Sequence, residues 1–158
     1  MIGTTSLCVD LGKRRVIEDV SVSLMPGRIT AIIGANGAGK TSLLRALCGL
    51  VAPSAGQVML DGAPLASFTD QARARRIGYL PQNGHPAWAI TVRELTELGR
   101  LPHRSRFAAA DAQDLAAVDA ALAATDTLHL ANRSVDALSG GERARAKMAR
   151  VIASAPDW

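Results

Sequence analysis

Apolar and polar positions alternate through the first third of the chain. SLCVDL (residues 6–11) and RVIEDVSVSL (residues 15–24) read as two strands around the polar GKRR. RITAII (residues 28–33), bounded by Gly27 and Gly34, is predicted to be a third, fully buried strand. The period then changes. In KTSLLRALCGL, Leu43, Leu44, Leu47 and Leu50 recur at helical spacing, with Gly49 and then Pro53 as stop signals. GQVMLDG returns to strand character, and Asp61–Gly62 is a hairpin turn.

Beyond RRIGYLPQ the texture becomes alanine-rich helix. TVRELTEL sets Val92, Leu95 and Leu98 on one stripe, and AQDLAAVDAALAAT does the same with Leu115, Val118 and Leu122. ERARAKMARVIAS predicts a last helix with Met148, Val151 and Ile152 as its buried stripe. This order of elements predicts an α/β fold: an antiparallel β lobe, a buried sheet, and a helical lobe between Gln82 and Leu138.

Composition narrows the picture. With 48% hydrophobic but only 3% aromatic residues, the core must be built from Leu, Val, Ile and Ala. The net charge of +4 comes from 18 basic residues interleaved with 14 acidic ones, so no block of charge calls for a nucleic-acid partner. The N-terminus lacks a basic stretch followed by an apolar one, and no run reaches the roughly 18 apolar residues that cross a bilayer. A cytoplasmic protein is expected. Cys8 and Cys48 read as reduced, buried thiols. His85, His103 and His129 are too scattered to ligate a metal, and Arg73, Arg75, Arg76, Arg100, Arg104 and Arg106 are expected to be solvated. Asp111, Asp114 and Asp119 fall on the polar faces of alanine-rich helices.

Two stretches carry chemistry. GANGAGKT, Gly34 to Thr41, matches GxxxxGK(S/T) between an apolar run and an amphipathic helix. Gly34, Gly37 and Gly39 permit turns that aim successive N–H groups inward as a nest for phosphate oxygens, and the helix N-terminus adds its dipole. Lys40 supplies a point charge for the β- and γ-phosphates, Thr41 a hydroxyl for Mg²⁺, and Ser42 a donor for the α-phosphate. In LSGGE, Ser139 and Glu142 form a capping box opening the last helix. The cap leaves Gly140–Gly141 unexplained, because glycine in a helix costs about 1 kcal/mol relative to alanine. Close approach of a phosphate to the backbone explains the pair.

In this order and spacing, GANGAGKT, YLPQ and LSGGERARAKMARVIASAP resemble the Walker A, Q-loop and signature motifs of the ATP-binding cassette (ABC) ATPases. The resemblance implies a P-loop NTPase cassette with an antiparallel β lobe and a helical subdomain. The divisions would be a β lobe and P-loop core over 1–84, a helical subdomain over 85–137, and the signature motif and helix over 138–158. ATP would be held by Gly34, Ala35, Asn36, Gly37, Ala38, Gly39, Lys40, Thr41, Ser42 and Gln82, with Thr41 and Gln82 on Mg²⁺. Ser139, Gly140, Gly141 and Glu142 would close over ATP held by a second subunit in a head-to-tail dimer. The interval between Q-loop and signature is compact, unlike the long coiled coil of DNA-repair members, which favours transport. TVRELTELGRLPHRSRF resembles importers of iron-siderophore, haem or cobalamin complexes. An ABC-type ATPase peripheral to the cytoplasmic face of the membrane, partnered by transmembrane permease subunits, is therefore expected. The Arg100 to Arg106 group is a candidate permease contact.

The resemblance also marks departures. Leu11 stands where the family has an adenine-stacking aromatic, so base selectivity should be loose. The Walker B Asp/Glu pair and the switch histidine lie beyond Trp158, so the cassette is expected to be incomplete at the C-terminus. These 158 residues alone are expected to bind nucleotide weakly, to turn over none, and to pack loosely or aggregate. Asp61 follows the apolar VML but reads as a turn residue. A soluble ABC protein acting on nucleic acid and a degenerate nucleotide-binding scaffold stay open as alternatives.

Overall fold

Strand β1 (Ile2–Leu11) pairs antiparallel with β2 (Arg14–Leu24) across the turn Gly12–Lys13, where Gly12 takes φ 62°. On its other edge β1 pairs antiparallel with β3 (Ala55–Leu60), which returns through Asp61–Gly62 to the short β4 (Ala63–Pro64). Asp61 and Gly62 have φ 48° and 84°, the paired positive values of a two-residue hairpin turn, as the sequence predicts. The sheet order is β2-β1-β3-β4. Leu7, Val9, Ile17, Val58 and Leu60 are buried on it, and helix α1 (Lys40–Leu47) contributes Ala46 and Leu47. The helix ends where expected: Leu50 N donates to Arg45 O and Gly49 N to Ala46 O, with Gly49 at φ 69° as the left-handed cap.

The computed structural model describes residues 1–82, 88–105 and 108–158. Within them the chain divides into two compact units, Met1–Arg73 and Ala74–Trp158. The division falls within helix α2 (Asp70–Arg76), and the second unit takes in the signature segment. His85 and Arg106 lie outside the described residues.

One expected strand does not form. Residues 28–33 have no ladder among the described residues, and Ile29 and Ile33 stand fully open at 102% and 91% exposure. An apolar run becomes a strand only when a neighbour takes its backbone N–H and C=O groups, and no described strand lies beside this one.

In the second unit, helix α3 (Val92–Glu97) begins with Thr91 and Glu94 in a reciprocal capping box. It runs into a 3₁₀ turn over Leu98–His103. Helices α4 (Ala112–Ala124) and α5 (Gly140–Ala153) pack with α3 around Val92, Leu95, Val118, Leu122, Leu130 and Val135. The buried stripe of α5 is Ala146, Ala149 and Ala153, whereas Met148 and Ile152 are 43% and 41% exposed and Val151 is half-buried. This corrects the expected stripe. Small side chains let α3 and α4 approach the α5 backbone, and the larger apolar residues point away. Leu98 and Leu115 likewise turn out of their expected stripes.

A second correction concerns charge. Asp114 and Arg100 are buried, at 4% and 6% exposure, and bonded to each other. Asp111 instead caps α4, accepting from Asp114 N, while Asp119 pairs with Arg93. Arg75 donates to Pro102 O, Arg76 to Asp157 and Arg73 to Asp70, so these arginines are engaged rather than merely solvated.

The Arg100 guanidinium holds the Asp114 carboxyl below its ordinary value of 3.8, and Arg104 adds to the effect. A carboxylate with a lowered folded pKa stabilises the fold fully above its unfolded pKa, and that contribution disappears as pH falls through the folded one. Asp114→Asn is therefore expected to lower the thermal midpoint at neutral pH. It should also flatten the acid limb below about pH 5, read by circular dichroism melts. An acid limb as steep as the wild type's would show that Asp114 is not its source.

Candidate functional site

The loop Gly34–Gly39 enters α1 without any side-chain cap: Gly39, the N-cap residue, has φ 87° and accepts no helix amide through a side chain. Gly37 has φ 83°, and a Cβ on Gly39 would stand 2.5 Å from Val16 O, so both positions require glycine. Gly34 does not. Its φ is not positive, and a Cβ there would meet Ala38 Cβ at an ordinary 3.6 Å, which corrects the expectation that it supplies a forbidden turn. The Lys40 side chain folds back over the loop, donating from Nζ to Gly34 O and Ala35 O, both at 2.7 Å. Residues 34–38 and Thr41 are exposed, and Ser42 is half-buried. Uncapped amides at a helix N-terminus beside the Lys40 ammonium form a donor set suited to an anionic polyphosphate. The Thr41 hydroxyl on the first turn adds an oxygen ligand suited to Mg²⁺.

At the signature turn, Ser139 caps α5. Glu142 N donates to Ser139 Oγ at 3.3 Å, and Ser139 N and Oγ donate to Glu142 Oε2 at 2.8 and 2.7 Å. These bonds to Ser139 hold the Glu142 carboxyl below its usual range. Glycine is not needed here by the fold. Neither Gly140 nor Gly141 has positive φ; a Cβ on Gly140 would meet nothing within 4 Å, and one on Gly141 only Arg145 Nη1 at 4.0 Å. Both lie exposed at the N-terminal end of a 14-residue helix.

Sequence reasoning missed what shapes this turn. Arg143 donates to Val135 O, Asp136 O and Leu138 O at 3.3, 3.2 and 3.1 Å, and Arg133 donates to Ala137 O at 3.1 Å. The only signal was a pair of arginines flanking the motif. Gln82, exposed at a bend, shares a cleft of about 300 Å³ with Gly140, Arg143, Ala144 and Lys147. The second unit therefore brings Gln82 and Gly140 into one cleft, with Arg143 and Lys147 among its lining.

The other candidates are committed elsewhere. Asp61 pairs with the N-terminal amino group and its amide with Met1 O, which fixes it in the hairpin. His103 Nε2 bonds Ser154 O at 2.8 Å, and exposed His129 lies 4.0 Å from Asp126. Both cysteines are free and half-buried, and burial pushes the Cys48 thiol up to about 11. Leu11 is 45% exposed at the end of β1.

The family model described as ABC transporter matches residues 17–158. Over 153 residues the chain is 49% identical to a hemin import ATP-binding protein of Pseudomonas entomophila (strain L48), covering 97% of this chain and 58% of that protein. Over 147 residues it is 46% identical to a ferric enterobactin transport ATP-binding protein of Escherichia coli (strain K12), covering 93% and 54%. Among solved structures it resembles a dimeric bacterial ABC transporter cassette, with TM-score 0.81 and 25% identity over 99% of this chain and 71% of that one. The chain spans about half the length of these curated relatives.

Proposed function

Since the chain belongs to the ABC transporter family, we propose that it serves as the ATP-binding part of an importer, coupling ATP binding and hydrolysis to uptake of an iron-siderophore, haem or cobalamin-like complex. The observation that carries this reading is the Gly34–Ser42 loop, whose uncapped helix N-terminus and folded-over Lys40 suit a nucleoside triphosphate. Lys40 would exchange its two carbonyl partners for β- and γ-phosphate oxygens, a stronger charge-assisted contact. The loop amides would hold the remaining oxygens. Thr41 and Gln82 would hold Mg²⁺, which when bound neutralises charge on the phosphates.

Ser139, Gly140 and Gly141 would meet the γ-phosphate held by a second subunit in a head-to-tail pair. Exposed Leu11 would give the adenine apolar contact without stacking, forfeiting about 1 kcal/mol. Among the described residues no helix is long and apolar enough to cross a membrane. On the importer reading, attachment to the membrane would run through permease subunits. Arg100 and Arg104 are held by Asp114, their side chains only 8% and 15% exposed. The permease would instead meet a cleft of about 250 Å³ lined by Trp88, Leu98 and Leu101, which are 67%, 40% and 56% exposed.

The test is transport. Membrane vesicles holding the assembled importer should take up haem or a ferric siderophore only with ATP and Mg²⁺ on the side of this subunit. Uptake that proceeds equally without ATP would remove the reading.

A further inference from the structure

The nucleotide reading leaves one cation unassigned at the end of the β1–β2 hairpin. Val9, fully buried, pairs with Ile17, then Asp10 with Arg15 and Leu11 with Arg14, so Val16 is the extra residue of a bulge on β2. β1 itself runs on without an extra residue from Val9 to Leu11, and alternate residues of a strand share a face. Leu11 therefore continues the face of Val9, and Arg14, directly opposite Leu11, lies on that face with it. Asp10 and Arg15 take the other face, where Arg15 Nε donates to Asp10 Oδ1 at 3.0 Å.

The face of Leu11 and Arg14 is also the one that meets the phosphate loop. A Cβ on Gly39 would stand 2.5 Å from Val16 O and 3.4 Å from Ile17 Cγ1, so Ile17 reaches the loop from the Val9 side of the strand pair. From Ile17 to Arg14 is three residues, about 10 Å along a strand. A ribose and base extending from phosphates on the loop cover such a span. Arg14 is exposed and, among the described residues, has neither a hydrogen bond nor an ion pair. Arg15 is held by Asp10, and Lys13 in the turn carries a point charge rather than a plane.

We propose that Arg14 is a base-binding residue, its guanidinium plane stacking on the purine ring of the nucleotide beside Leu11. This rests on the nucleotide-binding reading of the loop. A guanidinium meets the π-face that every purine presents and leaves the hydrogen-bonding edge unread. ATP and GTP are therefore bound alike, and the contact offsets part of the stacking that Leu11 does not give.

The test is titration calorimetry with Mg²⁺ and three ligands: ATP, GTP and inorganic tripolyphosphate, which has no base. Arg14→Ala is expected to raise Kd for ATP and for GTP about fivefold each and to leave tripolyphosphate unchanged. Arg14→Lys keeps the charge without the plane and should stay at least about twofold weaker than wild type for ATP. Leu11→Tyr in the Arg14→Ala background supplies a ring and should return ATP affinity to the wild-type level. Thermal melts of the Arg14 variants should match wild type, because this side chain holds nothing in the fold. Equal loss of ATP and tripolyphosphate affinity in Arg14→Ala would overturn the proposal by reducing Arg14 to a general charge. Wild-type ATP affinity in either Arg14 variant would overturn it as well, as would a wild-type protein that prefers ATP to GTP more than about tenfold. Wild-type protein that binds tripolyphosphate as tightly as ATP would sink the base contact alone, whereas one that binds neither would remove the nucleotide reading and the base contact with it.

Discussion

Lys40→Ala is expected to weaken ATP binding ten- to about a hundredfold, the range for losing a hydrogen bond to a charged group, about 1.5–3 kcal/mol. It should cut turnover of the assembled protein by roughly 10²–10³, as removal of a preorganised transition-state donor does. The fold should be almost untouched, because Nζ meets only Gly34 O and Ala35 O in an exposed loop. Lys40→Arg should not restore binding: the loop closes on a point charge, and a planar guanidinium is a different shape. Titration calorimetry with ATP and Mg²⁺, together with a thermal melt of each variant, separates the two effects. Unchanged affinity would mean that the loop is a glycine turn carrying a solvated lysine.

Much of the site that this experiment probes was legible in the sequence because its signals are local. A Gly-rich run before a helical period fixes a loop and an uncapped N-terminus, and S-x-x-E fixes a cap, since each needs only neighbours within four residues. What failed depended on distant partners. RITAII has strand composition, but a strand exists only beside another strand, and none of the described ones lies next to it. The α5 stripe went to Met148 and Ile152 by hydrophobicity, while packing chose Ala146, Ala149 and Ala153 by size.

Asp114 is the most instructive miss. It lies four residues before Val118 and eight before Leu122, squarely on the buried stripe of α4, yet its charge suggested solvent. A carboxylate at a core position asks for a cation, and the sequence offered Arg100 and Arg104 fourteen and ten residues upstream. The same residues explain why GRLPHRS resembles an outward-facing basic patch and is not one. Its Gly99, Arg100 and His103 meet the end of α5, Arg104 bonds Asp114 of α4, and Leu101 faces out.

The glycine pair of the signature turn yields the other large effect, because stability and activity should move in opposite directions. Neither glycine has a backbone angle or a neighbour that forbids a side chain, so Gly140→Ala and Gly141→Ala should each stabilise α5 by roughly 0.5–1 kcal/mol, by helix propensity alone. If Ser139–Gly141 closes on the γ-phosphate of a partner's ATP, a methyl in that approach should cost the assembled dimer about 10²–10³ in turnover. Gly141→Asp, which adds a like charge, should cost at least as much. ATP affinity of the isolated subunit should stay constant in all three, since its own loop is intact. Melting curves and steady-state ATP turnover on the same preparations check both signs. Lower melting points in the alanine variants would show that the fold does need these glycines, which would remove the reason to look outside the chain for their partner. Turnover at the wild-type level in a more stable variant would leave Ser139 and Glu142 as a capping box and nothing more.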